Sequence, residues 1–326
     1  MQKLVLSLIG LAILSLTGCM NTVQRDVETA LFNPDHTGIR WGLVVADLSG
    51  EELIALKPDD RFTPASNTKI FTTMAAYHHL EALDAPSNNP GTQIFVEEMT
   101  DGAAPRLVLK GGGDALLQDA LDCEMTCLAT LADQVAAWGL NEVSAVGGDD
   151  TLFPFERWGP GGSQEDLTFY YGTAVSALSV NDNVVWVDVA PGAGAGDLAN
   201  VSWQTGDDYF TLDNQLITTA EDSDRAMRIE RLPGTRTVRF YGEIPAGAAQ
   251  RSYRLAIDNP ADYTAWRFKT LLEARGISVG AIETRHRPLA LVDEAPDPED
   301  TSDTAALAAF PAPRSAAAAL TAGPLT

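Results

Sequence analysis

Five lysines, four histidines and three cysteines are all that this 326-residue sequence holds of those types. Its basic side chains number 22 against 45 acidic ones, a formal charge of -23 with a pI near 4.3. That balance excludes nucleic acid as a partner, because phosphate binding needs clustered Lys and Arg. The histidines (His36, His78, His79, His286) show no ligand spacing, and neighbours such as His78 and His79 diverge on a helix. A zinc site is therefore not expected, and nothing in the sequence calls for a cofactor. No apolar run reaches membrane-spanning length: the longest, Leu4 to Leu16, is too short for a comfortable span.

That run follows Lys3 and ends in Leu16-Thr17-Gly18-Cys19, which reads as a secretory signal with a lipobox. Cys19 is then the expected lipid-bearing N-terminus of an exported protein. Met20 carries no aspartate-type retention signal, which favours the periplasmic side of the outer membrane as its anchorage. Cys123 and Cys127 remain, and an oxidising compartment allows them to pair without their spacing fixing that they do.

Against this background one lysine stands out. The run Phe62-Thr63-Pro64-Ala65-Ser66-Asn67-Thr68-Lys69 sets a hydroxyl and an amine one helical turn apart. A helix starting near Ser66, with Pro64 before it, aligns Ser66, Lys69 and Thr73 on one face, the serine at the positive end of the helix dipole. Serine is a poor nucleophile at neutral pH, and a partly desolvated lysine would take its proton as the bond to a carbonyl forms. The pattern is that of acyl transfer by a Ser-Lys pair, with Ser66 as nucleophile and Lys69 as general base.

The remaining chain divides by pattern. From Val23 to Leu83 the expectation is a helix, two strands (Gly42 to Leu48 and Leu53 to Leu56) and the Ser66 helix, followed by a loop from Asp84 to Gly91. Residues 92–183 alternate short strands (Gln93 to Glu97, Arg106 to Lys110, Val143 to Gly147) with an amphipathic helix, Leu128 to Trp138, giving an α+β unit. Within it Lys110-Gly111-Gly112-Gly113-Asp114 lacks the Gly-Lys-Ser/Thr ending of a phosphate loop and reads as a tight turn. Residues 184–255 are strand-sized runs separated by Gly, Pro and Asp, a small all-β unit. Residues 256–292 hold a helix, Tyr263 to Arg275, stopped by Gly276, and a strand, Ile277 to Glu283. An acidic linker and an Ala/Pro-rich tail occupy 293–326.

In their order, Pro64-Ala65-Ser66-Asn67-Thr68-Lys69, Lys110 to Asp114, Tyr170-Tyr171-Gly172 through Ser179-Val180-Asn181-Asp182-Asn183, and Gly242-Glu243-Ile244-Pro245-Ala246-Gly247 resemble one family. It is that of the D-alanyl-D-alanine carboxypeptidase/endopeptidases, the class C low-molecular-mass penicillin-binding proteins. The resemblance implies an α/β (α+β) transpeptidase-like serine-transferase domain interrupted after the Ser-x-x-Lys helix by inserted domains. Those insertions correspond to 92–183 and 184–255, with the chain returning to the transpeptidase-like domain at 256–292. It implies peptidoglycan stem peptides as substrate, attack by Ser66, proton transfer by Lys69, and acylation of the same serine by β-lactams. It also places Asp166 and Tyr171 near the substrate, Asp166 opposite a D-amino-acid ammonium, although two tryptophans common there are Gly162 and Gln164 here.

The family's second box is Ser-x-Asn and its third Lys-Thr-Gly. Ser179-Val180-Asn181 has the form of the second but falls inside the inserted region, where it reads as a turn entering the strand from Val184. No lysine follows Lys269. The reading is of a chain truncated at its C-terminus, its domain incomplete and inactive as it stands. The alternatives are a non-catalytic peptidoglycan-binding lipoprotein and a Ser-Lys esterase or β-lactamase relative.

Overall fold

The structure, a computed structural model, describes residues 22–80, 83, 91–97, 102–120, 122–124, 126–160, 162–206, 209–232, 234–289 and the backbone of 320–321, and the statements below concern these. The leader with Cys19, the loop 84–90 and nearly all of the linker and tail lie outside them. The chain divides into two compact units, 1–85 and 86–326.

In the first unit, residues 22–31 form helix α1. Strands β1 (Leu43–Ala46) and β2 (Glu52–Leu56) then pair as an antiparallel hairpin. Its turn is organised by the Asp47 carboxylate, which accepts from the Ser49 N–H at 2.8 Å, the Ser49 hydroxyl at 2.7 Å and the Glu51 N–H at 3.0 Å. The Ser66 segment begins as a 3-10 turn, Ala65–Asn67, and only then becomes helix α2, Thr68–His79. That helix ends at the extended residue Leu80. It buries none of its residues, and Ile70, Phe71, Met74 and Tyr77 are all more than half exposed.

The second unit is built on one sheet, joining β3 (Gln93–Glu97), β4 (Arg106–Lys110), β7 (Glu142–Pro154), β14 (Ser278–Arg287) and β15 (Leu320–Thr321) in the order β14-β7-β4-β3-β15. The pairs β14/β7 and β7/β4 are parallel, and β4/β3 and β3/β15 antiparallel. Short strands β5 (Leu117–Gln118) and β6 (Thr126–Cys127) precede helix α3 (Leu128–Ala136), and Cys123 is disulfide-bonded to Cys127 just before it. Helix α3 buries Leu128, Leu131, Ala132 and Val135, the i, i+3, i+4, i+7 stripe that predicts it.

Between β7 and the final strand lie two three-stranded sheets. One has the order β13-β8-β9, from β8 (Val184–Ala190), β9 (Asn200–Trp203) and β13 (Arg251–Ala256). The other has the order β10-β12-β11, from β10 (Thr211–Thr219), β11 (Arg228–Arg231) and β12 (Thr237–Pro245), with β10 parallel to β12. Helix α4 (Pro260–Glu273) starts from Asn259, whose side chain accepts from the Asp262 N–H, with Pro260 at the first helical position.

The expected division at 255/256 falls inside the 86–326 unit. Strand β14 is hydrogen-bonded to β7, and Phe268 and Leu272 of α4 are fully buried in one core with Leu107, Val146, Val187 and Phe240. The 256–289 stretch thus shares a sheet and a core with 92–255. The expected boundary at 183/184 is likewise crossed by that single core. The expectation of mixed α/β architecture, with 184–255 all β, matches the elements observed.

Candidate active site

Lys69 Nζ lies 3.1 Å from Ser66 Oγ, the amine donating to the hydroxyl oxygen. The contact arises locally. Ser66 is the middle residue of the 3-10 turn and Lys69 the second residue of α2, so the i, i+3 spacing survives the change of helix type. Ala65, immediately before the serine, sits at φ +45°. For a residue with a Cβ that backbone costs roughly 1–2 kcal/mol, so the chain is strained where it presents the nucleophile candidate.

Thr73 does not join the pair as a third polar group. Its hydroxyl turns back to the Lys69 carbonyl at 2.8 Å. Both Ser66 and Lys69 are exposed. The desolvation that activates a lysine is therefore not supplied by the described residues of this unit. A shallow, open hollow of about 660 Å³ runs along α2 from Lys69 past Ile70, Thr73, Met74 and Tyr77, with walls that are mainly apolar.

Asp166 and Tyr171 belong to the second unit and lie close together. Asp166 closes a capping box at the 3-10 turn Gln164–Thr168: its Oδ2 accepts from the Ser163 N–H at 3.3 Å, while Ser163 Oγ accepts from the Glu165 N–H. Its Oδ1 has no hydrogen bond among the described residues. Tyr171 is exposed, stacks on Phe169 at 5.9 Å and meets Tyr170 edge-on at 5.3 Å. Partial burial, and then the Asp166 carboxylate, raise its phenol above the usual range.

The glycine turn is structural. Gly111 donates to the Asp149 carbonyl at 2.8 Å, and a Cβ there would come within 2.2 Å of the Ala177 carbonyl oxygen. Beside it is a polar cluster that the sequence did not reveal. Asp150, nearly buried, accepts from Ser176 Oγ at 3.0 Å and pairs with His286 Nδ1 at 2.8 Å. Two acids in succession at the end of an apolar strand were its one sequence signal. Among the described residues no group of three His, Cys, Asp or Glu is placed to hold a metal ion, and no helix is long and apolar enough to cross a membrane.

Residues 23–291 match the profile of the D-Ala-D-Ala carboxypeptidase 3 (S13) family. The chain belongs to that family. It is 34% identical over 274 residues to a D-alanyl-D-alanine carboxypeptidase from Actinomadura sp. (strain R39), a match covering 80% of this chain and 48% of the relative. The chain thus spans about half the length of the curated relative it matches.

In fold it is similar to penicillin-binding protein 4 from Haemophilus influenzae, with a TM-score of 0.60 at 15% identity, over 76% of this chain and 54% of that one. A structure of the same Haemophilus protein complexed with a novel β-lactam gives a TM-score of 0.54 at 13% identity, over 78% and 53%. These likenesses establish the mixed α/β, penicillin-binding type of fold.

Proposed function

We propose that this S13-family chain supplies the nucleophile and base of a serine-type D-Ala-D-Ala carboxypeptidase/endopeptidase acting on peptidoglycan stem peptides. The observation that carries the reading is the 3.1 Å contact between Lys69 Nζ and Ser66 Oγ. With its proton gone, the amine at that distance accepts the Ser66 proton while Oγ attacks the penultimate D-Ala carbonyl carbon. The C–N bond then breaks, Lys69 returns the proton to the departing amine, and water hydrolyses the acyl-serine. β-Lactams would open on the same oxygen and leave a penicilloyl-serine. Asp166 Oδ1 and the Tyr171 ring are the reading's recognition groups for a D-amino-acid side chain.

The test is labelling of the full chain with a fluorescent penicillin, beside Ser66→Ala. Covalent label on the parent that disappears in Ser66→Ala supports the reading. No label on the parent overturns it for this chain and leaves a peptidoglycan-binding lipoprotein.

Export and lipidation form the second part of the proposal, supported by Leu16-Thr17-Gly18-Cys19 after a charged and apolar leader. Cys19 carries the lipid and the protein faces the periplasm from the outer membrane. Radiolabelled palmitate incorporation that is lost in Cys19→Ala supports this, and equal incorporation in both overturns it.

A further inference from the structure

One groove of the 86–326 unit differs chemically from the acidic surface of the chain. It encloses about 1380 Å³ between the turn Gln164–Thr168, the N-terminal end of α4 and strand β11. Five arginines line it: Arg157, Arg225, Arg228, Arg231 and Arg236. The chain's formal charge is -23. The carboxylates there are Glu165, Glu230, Asp258 and Asp262, so in this groove's immediate walls cations outnumber anions, five to four, against the balance of the whole chain.

How the arginines are held decides what they offer a ligand. Arg157 donates to the Asp258 carbonyl at 2.6 Å, and Arg225 to the Tyr253 hydroxyl at 3.0 Å and the Ala249 carbonyl at 3.4 Å. Arg231, whose side chain is only 9% exposed, donates to the carbonyls of Ala256 and Leu167, with Asp258 further off at 3.6 Å. Neutral acceptors fix a guanidinium in place without cancelling its charge. Arg236 is neutralised by Asp262. Arg228 has no side-chain hydrogen bond or ion pair among the described residues.

The floor of the groove has a second property. Strand β11 is the edge of its sheet, and the whole run Met227 to Leu232 lines the groove. An edge strand offers unpaired N–H and C=O groups to an extended chain. Trp158, Phe169, Tyr241 and Tyr253 add apolar wall.

We propose that this groove is a second binding site, for an extended peptide bearing free carboxylates. Arg225 and Arg228 contact the carboxylates and the outer edge of β11 pairs with the peptide backbone. The natural ligand, a peptidoglycan stem peptide, rests on the proposed function. The site itself rests on the groove alone.

The experiment uses the full chain carrying Ser66→Ala and a fluorescently labelled stem peptide, prepared with its carboxylates free or amidated. Binding of the free-carboxylate peptide that weakens at least about tenfold in Arg225→Ala/Arg228→Ala and with the amidated probe is the expected result. Equal affinity in the double variant, or equal binding of the amidated peptide, overturns it. Should the double variant melt early, Arg228→Glu alone gives the same reading, because that side chain supports no other. Penicillin labelling of the chain with Ser66 and both arginines intact separates the two proposals. Full labelling of that chain, when its Ser66→Ala form fails to bind the free-carboxylate peptide, overturns only the groove, and groove binding in a chain that takes no penicillin overturns only the catalytic reading.

Discussion

The side-chain amide of Asn183 donates to Ser179 Oγ at 2.9 Å. The bond closes a turn in which Asn181, Asp182 and Asn183 all hold left-handed backbones, at φ +53°, +56° and +54°. Asn and Asp tolerate that region better than other residues with a Cβ. Asn181 also donates to Asp119 at 2.5 Å, and Thr173 Oγ1 donates to the Asn183 carbonyl at 2.8 Å. The triplet Ser179-Val180-Asn181 is thus the hinge that feeds β8, and its Ser-x-Asn form has a structural cause.

Ser179→Ala is accordingly expected to lower the stability of the second unit by about 1 kcal/mol through the lost hydrogen bond. Urea unfolding checks this. Penicillin labelling at Ser66 is expected to stay at the parent level, and a loss of labelling in a chain that still melts normally would contradict the structural assignment.

Glu97 gives the fold an acid-sensitive tie. Arg285 donates to both of its oxygens at 2.8 Å, joining the ends of β3 and β14 across the sheet. These hydrogen bonds hold the Glu97 carboxyl below its ordinary value of 4.5. A depressed folded-state pKa contributes stability that is fully present above the unfolded value and is lost as pH falls through the folded one. Glu97→Gln is therefore expected to cost about 1.5–3 kcal/mol at neutral pH, as for charge-assisted bonds. The difference from the parent is expected to shrink steadily below pH 4.5, as measured by urea midpoints along a pH series.

Phe268 tests the continuity of the second unit. It is fully buried on α4, in the stretch the sequence assigned elsewhere, and its core neighbours come from both 92–183 and 184–255. Phe268→Ala is expected to cost about 3–5 kcal/mol. Tryptophan fluorescence of the β8–β9 region and protection of α3 amides are expected to be lost in one transition. Separate transitions would support the sequence-based boundary.

What the sequence showed and concealed follows from range. Ser66 and Lys69 meet through an i, i+3 contact, α3 through an apolar stripe, and both are local. Strand β7 was expected over Val143 to Gly147 alone. It continues because a Cβ at Gly148 would come within 2.2 Å of the Ala261 carbonyl oxygen, so glycine there admits α4, and because Asp150 meets Ser176 and His286. Strands β9 and β13 went unrecognised since Asn200–Trp203 and Arg251–Ala256 alternate polar and apolar too weakly, and each is defined by pairing with β8. The groove arginines are spread from residue 157 to 236, and only the fold assembles them.

Lys69 carries the last prediction. Among the described residues the amine has one hydrogen-bond partner, Ser66 Oγ, and its exposure means that no core depends on it. Lys69→Met keeps the length of the side chain and removes the proton acceptor, so the acylation rate by penicillin is expected to fall by about 10²–10⁴. Stability is expected to stay within about 0.5 kcal/mol of the parent. Lys69→Arg decides between two roles for the amine. A guanidinium keeps the charge and the donor but stays protonated in proteins, so it orients the hydroxyl without accepting its proton. Acylation as slow as in Lys69→Met marks Lys69 as the base, and recovery of most of the rate by arginine would make it a positioning group instead.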